Sequence, residues 1–140
     1  MLNVKKAITE LSDKITAVNT VINGKVDTSF TAFTPSLYDN TTFIRSLTTG
    51  TGHKMQIGNL AIIYIYDPNA NLAGINTMVI LGDLPVTGVL GGSFYYQGIG
   101  GDRTIQAQMS SNRALIRPNI KTSDISVTTG ILSVCLICRT

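Results

Sequence analysis

Apolar residues recur at alternating spacings of four and three at the start of the chain, at Val4, Ile8, Leu11, Ile15, Val18 and Ile22. This is the heptad pattern of a coiled coil, and five of the six residues are β-branched. β-Branched residues at both core positions favour three or more helices over two. We therefore predict a helix from Asn3 to Ile22, with Asn3 as its N-cap, which forms a homotrimer through these six residues. The alternative is a helix packed on the protein's own sheet, although such helices usually have a wider apolar stripe.

The pattern changes at Gly24, after which short alternating or continuous apolar segments are separated by turn-forming residues. The clearest segments are 54–57, 60–66, 76–81, 103–109, 113–117 and 131–138. In all we count about eight short strands that turns separate at regular intervals along the chain. This arrangement is typical of a β-sandwich or a β-barrel. The predicted fold is mainly β, an antiparallel, jelly-roll-like β-sandwich preceded by one N-terminal α-helix. The predicted organisation is a coiled-coil helix at 1–23, a linker at 24–40 and a β-sandwich head domain at 41–140.

The content of charged and apolar residues bears on whether the protein binds nucleic acid or inserts into a membrane. Of the 140 residues only 14% are charged, and the net charge of +3 is scattered, so no basic surface for nucleic acid is expected. The longest apolar run, Leu60 to Tyr66, is far shorter than the ~20 residues that span a bilayer. No apolar segment typical of a signal peptide follows Lys5 and Lys6. We expect neither nucleic-acid binding nor membrane insertion, and synthesis in a cytoplasm without a secretion signal.

Three features occur in a characteristic order along the chain. They are an apolar-x-Gly-Asn-apolar hairpin within Lys54–Ile63, a Leu-Pro at the end of Met78–Pro85, and an alternating hairpin from Ile105 to Ile116. This order resembles the C-terminal head domains of bacteriophage tail fibres and receptor-binding proteins, over Lys54–Thr140. The opening residues, Leu2–Lys6, are also similar to the start of small phage or prophage proteins of this architecture. The chain departs from the family's pattern in having no Trp and a coiled coil of only three heptads.

The resemblance implies a homotrimeric fibre tip, located in the virion, that binds host cell-surface saccharide without catalysis. Saccharides are recognised by aromatic faces together with Asp, Asn and Arg, and three loop segments supply this mixture. The first is Tyr38-Asp39-Asn40, the second is Tyr66-Asp67 with two asparagines, and the third is Tyr95-Tyr96 with Asp102-Arg103. The candidate ligand-binding residues are Tyr38, Asp39, Asn40, Asp67, Asn69, Asn71, Tyr95, Tyr96, Asp102 and Arg103. The alternative is a virion assembly protein of the baseplate, neck or capsid decoration; a trimeric ligand of the tumour-necrosis-factor type would require a secretion signal.

Enzyme and cofactor chemistry find little support in the sequence. No Glu follows Glu10, and the Asp residues after the linker lie in predicted turns, where Asp bonds to the local backbone. The only histidine, His53, is predicted to be exposed in a loop; gathering three copies around a metal on a three-fold axis is the alternative. The segment 98–101 is rich in Gly but lacks the Lys and the helix of a phosphate loop. We predict no catalytic residue, no metal site and no cofactor.

The C-x-x-C pair, Cys135 and Cys138, lies in the last predicted strand. Residues three apart on a strand face opposite sides, so the two sulfur atoms are too far apart to form a disulfide or share a metal. Redox motifs of this spacing usually lie near a βαβ unit, which the sequence does not contain. We therefore predict two reduced cysteines on opposite faces of the strand.

Overall fold

The computed structural model describes residues 3–99, 103–107 and 112–140, with the backbone alone for 23–29 and 103–107. These residues form one helix, ten strands and a 3₁₀ turn at Thr122–Asp124. In chain order the elements are α1 (Val4–Lys25), β1 (Val26–Phe33), β2 (Ser36–Asp39), β3 (Thr42–Ser46), β4 (Thr51–Ile57), β5 (Leu60–Asn71), β6 (Val79–Gly82), β7 (Gly88–Tyr96), β8 (Arg103–Ala107), β9 (Ala114–Arg117) and β10 (Thr129–Arg139).

The helix begins where the sequence predicts it. Asn3 accepts a hydrogen bond at Oδ1 from the Lys6 backbone N–H over 3.1 Å, which confirms the predicted N-cap. The helix ends three residues later than predicted, at Lys25, since one glycine costs a helix only about 1 kcal/mol and Gly24 does not stop it. The chain then enters β1 at Val26 without an intervening loop. None of the described helices is long and apolar enough to cross a membrane.

All strand pairings in the described part of the chain are antiparallel, in the order β1-β4-β5-β10-β7-β8-β9-β6-β2-β3. Strands from both ends of this order contribute to one hydrophobic core, as Leu37 and Leu81 do from β2 and β6, and Ile63 and Leu136 from β5 and β10. The predicted main class, antiparallel β-structure with one N-terminal helix, is confirmed. The trimeric coiled coil stays a prediction.

Two strands lie within the range 24–40 that the sequence analysis assigned to a linker. β1 pairs with β4 from Val26 opposite Ile57 to Phe33 opposite Gly52. Gly52 makes this pairing possible, because a Cβ there would lie 2.5 Å from the ring of Phe33. β2 is largely buried and pairs with both β3 and β6. The Thr- and Ser-rich composition concealed these strands, and β1 and β2 each have a partner, β4 and β6, that lies far away in the sequence.

Strand β5 is longer than its apolar run and continues through Asn71, where the sequence analysis predicted a loop. Its pairing with β10 shifts register beyond Asp67, which leaves Pro68 without a partner in the ladder. Proline is tolerated at such a bulge because it has no N–H to donate. Turn-forming residues here therefore bend a strand without ending it.

The strand pairings show which end of β5 lies near the helix. Val26, the first residue after α1, pairs with Ile57, which in turn pairs with Leu60 at the start of β5. The helix therefore joins the sheet at the Leu60 end of β5, and Asp67 lies toward the other end. Even-numbered residues from Leu60 to Tyr66 face outward, whereas Ala61, Ile63 and Ile65 are buried.

Candidate binding site

A polar cavity of about 410 Å³ lies at the end of β5 remote from the helix. We call it the polar cavity, and its lining includes Arg45, Thr49, Asp67, Asn69, Asn71 and Thr129. The residues come from β3, the segment between β3 and β4, the bulged part of β5 and the start of β10. The structure thus brings three predicted ligand-binding residues, Asp67, Asn69 and Asn71, to one cavity.

Two contacts fix the segment between β3 and β4. The Leu47 N–H donates over 2.8 Å to the carbonyl oxygen of Pro35, just before β2, and the Leu47 side chain is buried in the core. Gly50 packs on the backbone of Tyr66 and Asp67, at a separation that leaves no room for a side chain. These contacts place Thr49, which lies between Leu47 and Gly50, directly over Asp67.

Asp67 is fully buried, yet only one of its carboxylate oxygens is paired. Oδ1 accepts hydrogen bonds from the Thr49 hydroxyl at 2.7 Å and from the Asn69 N–H at 2.9 Å. Oδ2 has no hydrogen-bond partner among the described residues. A buried polar atom left without a partner costs about 1–3 kcal/mol, so such atoms are uncommon.

Arg45 presents the complementary feature in the same cavity. Its Nη2 donates to the Ala73 carbonyl oxygen over 2.8 Å, whereas its buried Nε–H has no partner among the described residues. The Asn71 side chain accepts from the Ala73 N–H over 2.9 Å, which fixes the same turn. Two residues that line the cavity therefore each keep one buried atom without a partner, an acceptor on Asp67 and a donor on Arg45.

A second, more apolar cavity of about 470 Å³ adjoins the polar cavity. We call it the tyrosine cavity, and its lining includes Thr49, Thr51, His53, Tyr64, Tyr66 and Pro68. Thr49 lines both cavities. Tyr64 and Tyr66 project from the outer face of β5 and are 45% and 43% exposed, so their rings are available to a ligand.

The predicted cluster at Tyr38-Asp39-Asn40 lies apart from these cavities, at the β2–β3 hairpin. Asp39 accepts hydrogen bonds from the backbone N–H groups of Asn76, Thr77 and Met78, each at 2.9 Å. Burial tends to raise the pKa of Asp39, but these three donors outweigh it and hold the pKa below its ordinary value. Asn40 forms the turn with φ +57°. Asp39 therefore joins the hairpin to the segment before β6, which lies more than 35 residues away in the sequence, and is not free for a ligand.

Tyr38 belongs to a cluster whose polar groups are paired with one another. Its hydroxyl lies 3.2 and 3.3 Å from the two carboxylate oxygens of Asp83, and the Arg113 guanidinium lies 3.9 Å from its ring centroid. Phe43 packs edge-on against the same ring at 5.7 Å. Asp83 adopts φ +56°, a conformation unusual for a residue other than glycine. This cluster joins β2, β3 and the segments after β6 and before β9.

The third predicted cluster is divided between the core and the surface. Tyr96 is fully buried, and its hydroxyl donates to the Val127 carbonyl oxygen over 2.9 Å, so we assign it to the core and not to a ligand site. Burial also raises the pKa of Tyr96. Tyr95 is exposed and shares a row with Tyr66, because each is opposite Ser133 of β10. Asp102 lies outside the described residues, and of Arg103 only the backbone in β8 is described.

Other predicted features have clear positions. His53 lies in β4 and not in an exposed loop, half-buried, with its ring edge-on to Phe30 at 6.5 Å. Cys135 is exposed and Cys138 buried, and both are free thiols, which confirms that they face opposite sides of β10. No group of three His, Cys, Asp or Glu side chains suited to a metal ion occurs in the described ranges.

The six heptad residues of α1 form an exposed apolar surface, separate from the two cavities. On the single chain Val4, Ile8, Leu11, Ile15, Val18 and Ile22 are all between 52% and 63% exposed. The alternative in which the helix packs on its own sheet is therefore not observed. An aliphatic patch of Ile57, Leu60, Ile62 and Ile137, around a hollow of about 250 Å³, lies on the outer face at the helix end of β5.

Sequence reasoning missed Arg45, Thr49 and Gly50, which precede Asp67 by about 20 residues and meet it only through tertiary packing. No protein-family model, curated protein or solved structure matches the chain. The function is therefore inferred from the geometry and chemistry of these residues.

Proposed function

We propose that this protein is the receptor-binding head at the tip of a homotrimeric phage fibre, and that it binds host cell-surface saccharide without catalysis. One observation carries the proposal. A 22-residue helix leaves a complete heptad seam exposed on the single chain, with every one of its six apolar residues more than half exposed. Such a seam is stabilised when identical helices cover it.

The aliphatic patch supports self-association at the same end of the molecule. It adjoins the point where α1 enters the sheet, because Val26 pairs with Ile57 and Ile57 with Leu60. Contiguous exposed apolar surfaces usually mark interaction sites. Three heptads alone are marginal in water, so contacts between heads through the patch would help to hold the stalk together.

The two cavities lie on the side of the head away from the stalk. Asp67 follows Leu60 by seven positions in β5, a distance of about 24 Å along an extended strand. A fibre tip requires this arrangement, with the oligomerising end toward the fibre and the binding end toward the cell. Three equivalent weak sites in one trimer gain avidity on a repetitive cell surface.

A second candidate is a virion assembly protein of the baseplate, neck or capsid decoration. The observation that favours it is the extent of apolar residues on the outer sheet face, where Leu90 and Ile137 join those of β5. In that case the outer face would contact other virion proteins and not a second copy of this chain.

Two measurements on the full chain test the proposal. Light scattering on a size-exclusion column should give about 45 kDa, three times the 15.0 kDa of one chain. An array of bacterial surface polysaccharides should show selective binding. A monomer would contradict the trimeric fibre tip, whereas a trimer that binds no polysaccharide but co-purifies with virion proteins would favour the assembly protein.

A further inference from the structure

We infer that the polar cavity and the tyrosine cavity together form one binding site, and that its ligand is a neutral hexopyranose. The inference rests on the proposed function, since it names the site and the chemical class of the saccharide. It is carried by two residues that line a single cavity, each with one unpartnered buried atom and of opposite hydrogen-bonding character, beside exposed aromatic rings.

The unpartnered atoms match the chemistry of a sugar hydroxyl. Oδ2 of Asp67 can only accept a hydrogen bond while the carboxylate is ionised, and Nε–H of Arg45 can only donate one. A hydroxyl group does both, so adjacent hydroxyls of one ring can satisfy both residues. Thr49, which bonds to the other carboxylate oxygen of Asp67, is itself exposed, and a ligand reaches the two unpartnered atoms when the side chains that line the cavity move.

The tyrosine cavity supplies the other half of saccharide recognition. A pyranose ring has an apolar face of C–H groups, and the exposed rings of Tyr64 and Tyr66 offer flat apolar surfaces beside the polar cavity. Because Thr49 lines both cavities, a ligand seated over Tyr66 also reaches the polar residues. Thr51 and Asn69 add polar groups at the edges of the two cavities.

The charges in the polar cavity disfavour two competing classes of ligand, cations and acidic sugars. Asp67, Asn69 and Asn71 follow the Asp-x-Asn-x-Asn spacing of calcium loops, but Arg45 places a positive charge in the same cavity and opposes a cation. An acidic sugar would place its carboxylate near that of Asp67. One negative and one positive residue leave the cavity formally neutral, which favours a neutral sugar.

The Tyr38 cluster contains the same residue types as the proposed site, but its groups already interact within the protein. The Asp83 carboxylate contacts the Tyr38 hydroxyl and the Arg113 guanidinium lies over the Tyr38 ring, so a ligand there would have to displace existing interactions. In the polar cavity a ligand completes interactions that the chain leaves open.

The test uses saturation-transfer NMR on the full chain, with the methyl glycosides of glucose, galactose, mannose, rhamnose and glucuronic acid as probes. We expect at least one neutral glycoside to bind and the glucuronide to bind more weakly. Tyr66→Ala, at an exposed position, should lower affinity about tenfold. Phe43→Ala removes an exposed aromatic ring outside both cavities and should leave affinity unchanged.

Asp67→Asn provides a readout that a purely structural role would not give. It leaves Arg45 as the only charged group among the residues named for the cavity, so binding should shift from the neutral glycoside toward the glucuronide. Unaltered binding in both Tyr66→Ala and Asp67→Asn, with a trimer that binds polysaccharide on the array, would overturn this site and leave the proposed function standing. Absence of binding to every probe and every polysaccharide would overturn both.

Discussion

Gly50 lies against the backbone of Tyr66, with no space between them for a side chain. A Cβ on residue 50 would be 2.5 Å from the Tyr66 carbonyl oxygen and 2.7 Å from the Asp67 Cα. This close approach holds Thr49 over Asp67 and thereby defines the boundary shared by the two cavities.

Gly50→Ala should therefore destabilise the protein. The added methyl group meets backbone atoms that cannot rotate away, and such overpacking typically costs about 1–3 kcal/mol. The free energy of unfolding from urea titration measures the effect. Gly88→Ala is the matched control, because a Cβ there meets no atom within 4 Å. Equal stability of the two variants would show that the segment at residue 50 moves freely.

The sequence predicted those elements whose signal is local. The heptad spacing located α1, and the run from Leu60 to Tyr66 located most of β5. β1 was missed because its register depends on β4, and Gly52 reveals its role only once Phe33 lies over it. The extension of β5 was missed because Asp67 and Pro68 form a bulge as readily as a turn.

The same distinction applies to the site. Asp67, Asn69 and Asn71 were predicted together because they are neighbours in sequence, and all three line the polar cavity. Arg45 and Thr49 could not be added, since only tertiary packing, with Gly50 against Tyr66 and Asp67, brings their segment to β5. Tyr96 looked like a surface residue beside Tyr95, but strand alternation places the two on opposite faces.

The heptad seam gives a prediction about assembly. Ile15→Asp places a charge in the middle of the seam and should dissociate the proposed trimer, because an unpaired buried charge is strongly unfavourable. Thr16→Asp adds the same charge one residue away, outside the seam, and should leave the trimer intact. Light scattering distinguishes the two. A variant at residue 15 that keeps the mass of the parent would exclude the seam as the interface.

Asp39 gives a prediction about acid stability. The pKa of Asp39 is lower in the folded state than its ordinary value of 3.8. The carboxylate therefore stabilises the fold at every pH above 3.8, and this stabilisation is lost as the pH falls through the lower pKa of the folded state. Asp39→Asn should lower the free energy of unfolding near neutral pH by about 1–2 kcal/mol, because it replaces a charged acceptor of three N–H groups. It should also weaken the dependence of stability on pH in the acid range. Asp13→Asn, at an exposed position on the helix, controls for loss of one carboxylate.

The two cysteines should differ in reactivity toward a thiol reagent. Cys135 is exposed, whereas Cys138 is buried. Burial, together with the nearby Cys135, raises the pKa of the Cys138 thiol to about 11, although Lys54 opposes the rise. The reactive form of a thiol is the thiolate. With a reagent that releases a chromophore on reaction with a thiol, the native chain at pH 8 should therefore release one equivalent rapidly, and the chain unfolded in urea should release two. Cys135→Ser should abolish the rapid reaction, whereas Cys138→Ala should preserve it.

The buried thiol also sets the direction of a change in stability at alkaline pH. The folded state keeps the proton of Cys138 up to about pH 11, whereas the unfolded thiol loses it near 9. Above pH 9 the native state therefore binds more protons than the unfolded state, and the free energy of unfolding should fall between pH 9 and 11. Urea titrations of the parent chain and Cys138→Ala across this range measure the difference, which should narrow as the pH rises. A constant difference would mean that the Cys138 thiol titrates alike in both states, and would contradict its placement in the core.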